Sequence, residues 1–323
     1  MDSLKEKVRR AKTLRFEYAR EYDTGDFNKG KSLELEYLSI RKEILSAVDE
    51  SISRQRSIPI REIEKKVAAK PKVNRIETGI KSLDMELVSD EMRVRGDRGG
   101  MALGNFVQIA GAKGTGKSTF MMKILTGFSK YEKVCWFDFE MGEDRVIYKL
   151  KSFDYNSDNL LYYSASRDLE EITSEIKYLQ ADGVSHFVID SAMKINVKGA
   201  DRYDKFSNIS GRMSELTSSL GINIYMINQV SQSVDSEGKF YIKHGNDAEY
   251  DADFIFFITK MAKRDDSGKK VLDSDGNLVV DNSKRKLFCE KNRQDERLFN
   301  VVLPIEEITG KQNYDVEVSV YSE

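Results

Sequence analysis

The sequence predicts an α/β fold, a mostly parallel sheet covered by helices on both faces, preceded by a small helical extension. Three observations predict it. A short apolar strand, Asn105 to Ala110, runs into a glycine-rich turn, and apolar residues at helical spacing follow it from Phe120 to Ser129. Beyond that turn, apolar runs of strand length alternate with amphipathic stretches, the order of a parallel sheet wrapped by helices. Residues 1 to about 70 have a different texture, charged and helical throughout.

In chain order, Ser3 to Tyr22 carries Leu4, Val8, Ala11, Leu14, Phe16 and Tyr18 at helical spacing, and Asp23-Thr-Gly-Asp26 breaks the pattern. Ser32 to Ile52 is expected as a second amphipathic helix and Ile60 to Ala69 as a third, ending before Pro71. A hairpin this small has little core of its own, so it is expected to pack on the main domain or on a neighbouring subunit. Residues 1–70 are therefore read as an oligomerisation or docking extension and residues 71–323 as the main domain. Phe16-Glu-Tyr-Ala19 is similar to an F-x-x-A subunit-joining motif, but its place inside a charged helix favours a packing face.

The main domain starts near Asn74, with Arg75 to Asp84 and Arg98 to Gly104 leading into the first strand. Later strands are expected at Lys133–Phe139, Leu160–Tyr163, His186–Asp190, Ile222–Ile227, Asp253–Thr259 and Lys286–Lys291. Helices are expected at Glu143–Phe153, Asp168–Gln180 and Ser207–Leu220. Lys270 to Val280 reads as a hairpin with an Asp-Gly turn. Asp273, Asp275 and Asn277 hint at a calcium loop, but the spacing of the later ligands is wrong for one.

Composition excludes several classes. A chain of 323 residues with 33% charged residues and a formal net charge of -2 describes a folded, soluble, cytoplasmic protein, and any nucleic-acid contact must come from a local patch. No apolar run is long enough to span a bilayer, and the N-terminus is not a signal peptide. The two cysteines, Cys135 and Cys289, sit in apolar strands and are expected as buried thiols; two histidines are too few for a histidine metal site.

The turn itself carries the chemistry. Gly111, Ala112, Lys113, Gly114, Thr115, Gly116, Lys117, Ser118 and Thr119 fit G-x-x-x-x-G-K-[ST], with a strand before and a helix N-terminus after. Backbone N–H groups and the helix dipole favour phosphate there; Lys117 would reach the outer phosphates of ATP and Ser118 would ligate Mg²⁺. Hydrolysis also needs a group to activate water and a carboxylate for the metal shell. Asp190 ends an apolar strand and suits the metal. Glu140 is the candidate to polarise water, with Asp138 as competitor on the same strand face. Gln229, at another strand end, could sense the terminal phosphate.

Taken together, the P-loop, Asp138-Phe-Glu-Met141, Val188-Ile-Asp190, Ile227-Asn-Gln229, Asp251-Ala-Asp253 and Lys291-x-Arg293 resemble the RecA-type ATPase domain of replicative hexameric helicases of the DnaB type. The resemblance covers roughly residues 75 to 305. It implies a RecA-like P-loop NTPase core, nucleotide bound between subunits of a homo-oligomeric, hexameric ring, and single-stranded DNA in the channel. By the match to the family's A-K-x-R segment, Lys291 and Arg293 would complete the neighbouring subunit's site. Loops after the Asp190 and Gln229 strands would face the DNA, with Lys194, Lys198, Arg202 and Lys205 in the first and Lys239, Phe240 and Lys243 in the second. The chain departs from the family after Arg293, where Gln294-Asp-Glu-Arg297 replaces a glycine-rich stretch, and it lacks the large N-terminal collar. Those departures suit a compact phage or mobile-element helicase and leave a primase or loader partner open. A RecA/RadA-like recombinase or strand-annealing filament, and a regulatory or loader ATPase with a protein partner, are the alternative readings.

Overall fold

A computed structural model describes residues 3–53, 59–69, 75–88, 94, 99–199, 202–230, 250–294 and 296–310. Its centre is an eight-stranded sheet built of β3 (Phe106–Gly111), β4 (Lys133–Asp138), β5 (Leu160–Tyr163), β6 (Val184–Asp190), β7 (Asn223–Gln229), β8 (Phe254–Ala262), β9 (Val280–Asn292) and β10 (Phe299–Pro304). The spatial order is β10-β9-β8-β3-β7-β6-β4-β5. Strands β3 to β8 run parallel to one another, and β9 and β10 add an antiparallel edge. A small antiparallel pair, β1 (Arg75–Ile76) with β2 (Met101–Ala102), lies ahead of β3.

The parallel strands read as continuous apolar runs because both of their faces are covered. One face packs Phe106, Phe137, Phe187 and Ile224 against α7 (Leu169–Ala181) and α8 (Arg202–Leu220). The other packs Ile109, Trp136, Val188 and Tyr225 against α4 (Lys81–Glu86), α5 (Lys117–Ser129) and α6 (Glu143–Leu150). Both cysteines are buried and free.

Helices α1 (Leu4–Asp23) and α2 (Phe27–Ser53) form the expected hairpin, with α3 (Ile60–Ala69) after it. A capping box between Ser3 and Glu6 starts α1. Helix α2 begins five residues earlier than its apolar spacing suggests, since Asp26 accepts the backbone N–H of Lys29 at 3.1 Å and turns the chain. The hairpin packs on the main domain: Val8, Ala11, Leu14, Tyr37 and Ile44 share one core with α7. Charge follows the same seam, with Arg41 on Glu175 at 2.5 Å, Lys177 on Asp49 at 2.5 Å and Lys12 on Asp182 at 2.5 Å. Phe16 departs from the expected packing face; it is 78% exposed, and Leu14 is the residue that turns inward.

The expected Asp-Gly turn forms at Asp273–Asn277, where Asp273 Oδ1 accepts the backbone N–H groups of Asp275 at 3.0 Å and Asn277 at 2.8 Å. Its side chains serve the turn, which leaves no reason to invoke calcium. Strand β10 goes beyond the expected elements. Its alternating buried and exposed residues, with Phe299, Val301 and Leu303 inward, are the signal of a half-buried edge strand.

Candidate active site

Parallel strands expose their C-terminal ends along one edge, and the side chains singled out from the sequence gather there. Gly111 is in register with Gln229 on β7, and Asp138 on β4 with Asp190 on β6. The phosphate turn sits between the end of β3 and the start of α5. A Cβ on Gly111 would lie 2.5 Å from the Ile258 carbonyl oxygen, so only glycine lets β8 approach. Gly116 caps α5 at φ 97°, a left-handed conformation that disfavours a side chain. Thr115 Oγ1 donates to the Ala112 carbonyl at 3.0 Å and closes the turn on itself. Helix α5 therefore presents its free N–H groups to this turn.

Lys117 bends back over the turn, donating to the carbonyls of Gly111 at 2.8 Å and Ala112 at 3.0 Å. Burial lowers its pKa, and the nearby carboxylates of Asp190 and Glu140 oppose that effect. Asp190 is 1% exposed. Burial pushes its pKa up to about 6, the carboxylates of Glu140 and Asp138 push the same way, and a hydrogen bond from Ser118 with the charge of Lys149 pulls it down. Its Oδ2 is buried without a hydrogen-bond partner among the described residues. A hydroxyl and a carboxylate with a spare oxygen are the hard donors that Mg²⁺ takes, the rest of its shell coming from phosphate and water. Ser118 and Asp190 therefore fit the metal.

Asp138 and Glu140 separate into two roles. Asp138 is the last residue of β4 and is 4% exposed. Its Oδ1 accepts from the N–H groups of Glu140 at 3.1 Å and Met141 at 2.8 Å, and its Oδ2 from Gly142 N–H at 2.6 Å and the Tyr162 hydroxyl at 3.0 Å. A carboxylate with that many donors builds the bend and has little capacity left for water. Glu140 does not share its strand face; it stands past the strand end, exposed on the bend that Asp138 shapes. The competition resolves to Glu140 as the free carboxylate.

Lys291 and Arg293 lie elsewhere. β9 runs antiparallel to β8, and Asn292 is in register with Phe254 at the end of β8 remote from the phosphate turn. The Arg293 N–H donates to the Asp253 carbonyl, five residues before Ile258, which touches the turn. That separation is about 16 Å along the strand, beyond a side chain's reach to its own P-loop. Lys291 Nζ donates to the Tyr250 carbonyl at 3.0 Å; Arg293 donates to the same carbonyl and approaches Asp253 Oδ1 at 3.6 Å.

Of the expected DNA-facing side chains, Lys194 and Lys198 are exposed on the turn after β6, Lys198 lying 3.4 Å from Asp168 Oδ2. Lys205 does not face outward. It donates to the Met193 carbonyl at 3.1 Å and lies over the Phe206 ring, because the first turn of α8 folds against the 3₁₀ turn Ala192–Lys194. Arg202 starts α8. Lys239, Phe240 and Lys243 lie outside the described residues.

Sequence reasoning missed Lys149 and Arg285. Arg285 on β9 is buried and donates from Nε to the Thr115 carbonyl at 3.1 Å, holding the turn from the antiparallel edge. Charge between the apolar residues Val280 and Leu287 was the available signal. Lys149 on α6 donates to Thr119 Oγ1 at 3.2 Å.

A family model described as the KaiC ATPase matches residues 76–249. The DNA repair protein RadA of Aquifex aeolicus (strain VF5) is 25% identical over 171 residues, 52% of this chain and 35% of that protein, so the chain spans about a third of that relative. Among solved structures, the ATPase domain of a DnaB-like helicase aligns with a TM-score of 0.57 at 20% identity, covering 78% of this chain and 95% of that one. A KaiC-like protein from the hyperthermophilic archaeon Pyrococcus horikoshii OT3 aligns with a TM-score of 0.54 at 16% identity, covering 73% and 97%. The structural likenesses share the fold: a parallel sheet with a phosphate turn at its C-terminal edge. With the family match spanning more than half of its length, the chain belongs to the KaiC family of RecA-type ATPases.

Proposed function

We propose that this ATPase is a ring-forming motor that hydrolyses ATP at subunit interfaces and translocates on single-stranded DNA as a helicase. One observation carries the reading. The phosphate turn, Ser118, Asp190, Glu140 and Gln229 converge on one edge of the sheet, whereas Lys291 and Arg293 sit at the other end of β8 and β9. A site that needs positive charge against the transferring phosphate would draw those cations from a second copy.

In that reading Lys117 and the N–H groups of the turn hold the phosphates, and Ser118 and Asp190 hold Mg²⁺, which supplies charge neutralisation across the phosphate oxygens. Glu140 accepts the proton of the attacking water. Asp138 keeps Glu140 in place by satisfying the backbone of the bend. Gln229, beside Gly111, links the terminal phosphate to the segment that follows β7.

The test is a mixing experiment. R293A should cut DNA-stimulated ATP turnover about 100-fold or more, on the scale of an arginine finger, while nucleotide affinity stays near native. Adding subunits that retain Arg293 but carry E140Q should restore part of the turnover. Full turnover by a monomer sinks the shared site, and failure to open a forked duplex sinks the helicase. The match to RadA favours a second reading, a recombinase-like filament. Closed rings against filaments in electron micrographs separate the two.

A further inference from the structure

We infer that Lys149 is a positioning residue for hydrolysis, a clamp between α6 and α5 that fixes Glu140 relative to the phosphate turn. The inference rests on the reading of Glu140 and the turn as one ATP site. Helix α6 follows directly from the bend that carries Glu140, and Asp138 locks the bend to the helix start through the N–H of Gly142. Val146 and Leu150 bury one face of α6 in the core shared with Met122 and Leu125 of α5. That apolar contact holds the helices together without fixing their slide along each other, since dispersion and burial have little direction.

Lys149 supplies the direction. It lies one residue before Leu150 and three after Val146, at the margin of the buried face. Its ammonium crosses to α5 and donates to Thr119 Oγ1 at 3.2 Å, next in sequence to Ser118. Burial works against its charge and the Asp190 carboxylate works for it, so the ammonium sits at the back of the metal-binding pair. An ordinary lysine near a helix C-terminus would extend into solvent, where the dipole already favours it. This one gives up part of its hydration to bridge the helix bearing the phosphate turn and the helix bearing the water-activating bend.

The test compares K149M and K149R with the native protein in turnover, nucleotide affinity and thermal unfolding. A catalytic carboxylate displaced by about 1 Å costs on the order of 100-fold. K149M should therefore lower kcat by about 10- to 100-fold with nucleotide affinity within about threefold of native. K149R, which keeps a cationic donor, should recover most of the kcat. Native kcat in K149M overturns the inference, and so do parallel losses of affinity and melting temperature, which mark a lysine that only holds the fold. If K149M unfolds too readily to assay, K149Q keeps a donor toward Thr119 and is judged by the same outcomes. A native protein that binds ATP without hydrolysing it rejects the reading of the site and Lys149's role with it, whereas native turnover indifferent to K149M rejects Lys149 alone.

Discussion

Asp190→Asn should make the ligand-free protein more stable while removing metal-dependent hydrolysis. Asp190 is 1% exposed, and its pKa rises from 3.8 to about 6 in the folded chain. A folded-state pKa above the unfolded one means that Asp190 favours folding at low pH, and that this contribution is lost as pH rises through about 6. A shift of about two units corresponds to about 3 kcal/mol of destabilisation once the group is ionised in both states. At pH 4 the loss is under about 1 kcal/mol, because both states are still largely protonated. Asparagine removes the charge but places an amide where Oδ2 has no partner, which returns about 1 kcal/mol. D190N should therefore exceed the native protein by about 2 kcal/mol at pH 8 and by little or nothing at pH 4. Urea unfolding with EDTA and no nucleotide, at both pH values, measures the difference and cancels every other titrating group. A D190N protein less stable than native at pH 8, or a difference that does not grow with pH, refutes the argument that this carboxylate is held in a desolvated state for a cation.

Lys117→Ala should weaken ATP binding by about 100-fold, or about 2.7 kcal/mol, in a fluorescent-nucleotide titration; undiminished affinity removes Lys117 from the site. Gly111→Ala would force a methyl group within 2.5 Å of the Ile258 carbonyl and should cost about 1–3 kcal/mol in urea unfolding, with nucleotide affinity falling as the turn shifts. Lys194→Ala should weaken single-stranded DNA binding and reduce the slope of its salt dependence by about 1, whereas Lys198→Ala should do less because Asp168 already holds that ammonium. Equal effects of the two would place the DNA path elsewhere.

The sheet was legible because both of its faces are buried, which turns β3, β4, β6, β7 and β8 into apolar runs that no exposed segment imitates. The phosphate turn was legible because its residues are consecutive. Asp190, Glu140 and Gln229 could be placed because each follows an apolar strand, and parallel strands deliver their C-terminal ends to one edge. Asp138 and Glu140 could not be told apart in sequence: two acids two residues apart look equivalent until the strand is seen to end at Asp138. Lys149 and Arg285 were hidden for another reason. A lysine in a charged helix and an arginine in Lys284-Arg-Lys286 have the composition of a solvated surface, and only tertiary packing turns them inward. Phe16 is the converse, an apolar residue at helical spacing that stays in solvent because Leu14 already fills the face.

The stretch after Arg293, the largest departure from the helicase pattern, acquires a physical reason in the fold. Gln294 accepts from Arg75 at 3.1 Å and donates to Asn105 at 3.3 Å, and Arg297 pairs with Glu86 at 3.0 Å. These contacts fasten the turn beyond β9 to the strands that precede the phosphate turn. A glycine-rich segment there would leave Arg293 on a loose arm, and ordering it at each hydrolysis event would cost backbone entropy of about 1–2 kcal/mol per residue. The contacts made by Gln294 and Arg297 place that cost in folding, where it is met once. The same strand that presents Lys291 and Arg293 at one end holds Thr115 through Arg285 at the other. If the proposed shared site is correct, β9 is a rigid element touching two active sites, its own through Arg285 and the neighbour's through Arg293. A shift of the strand would then reach both.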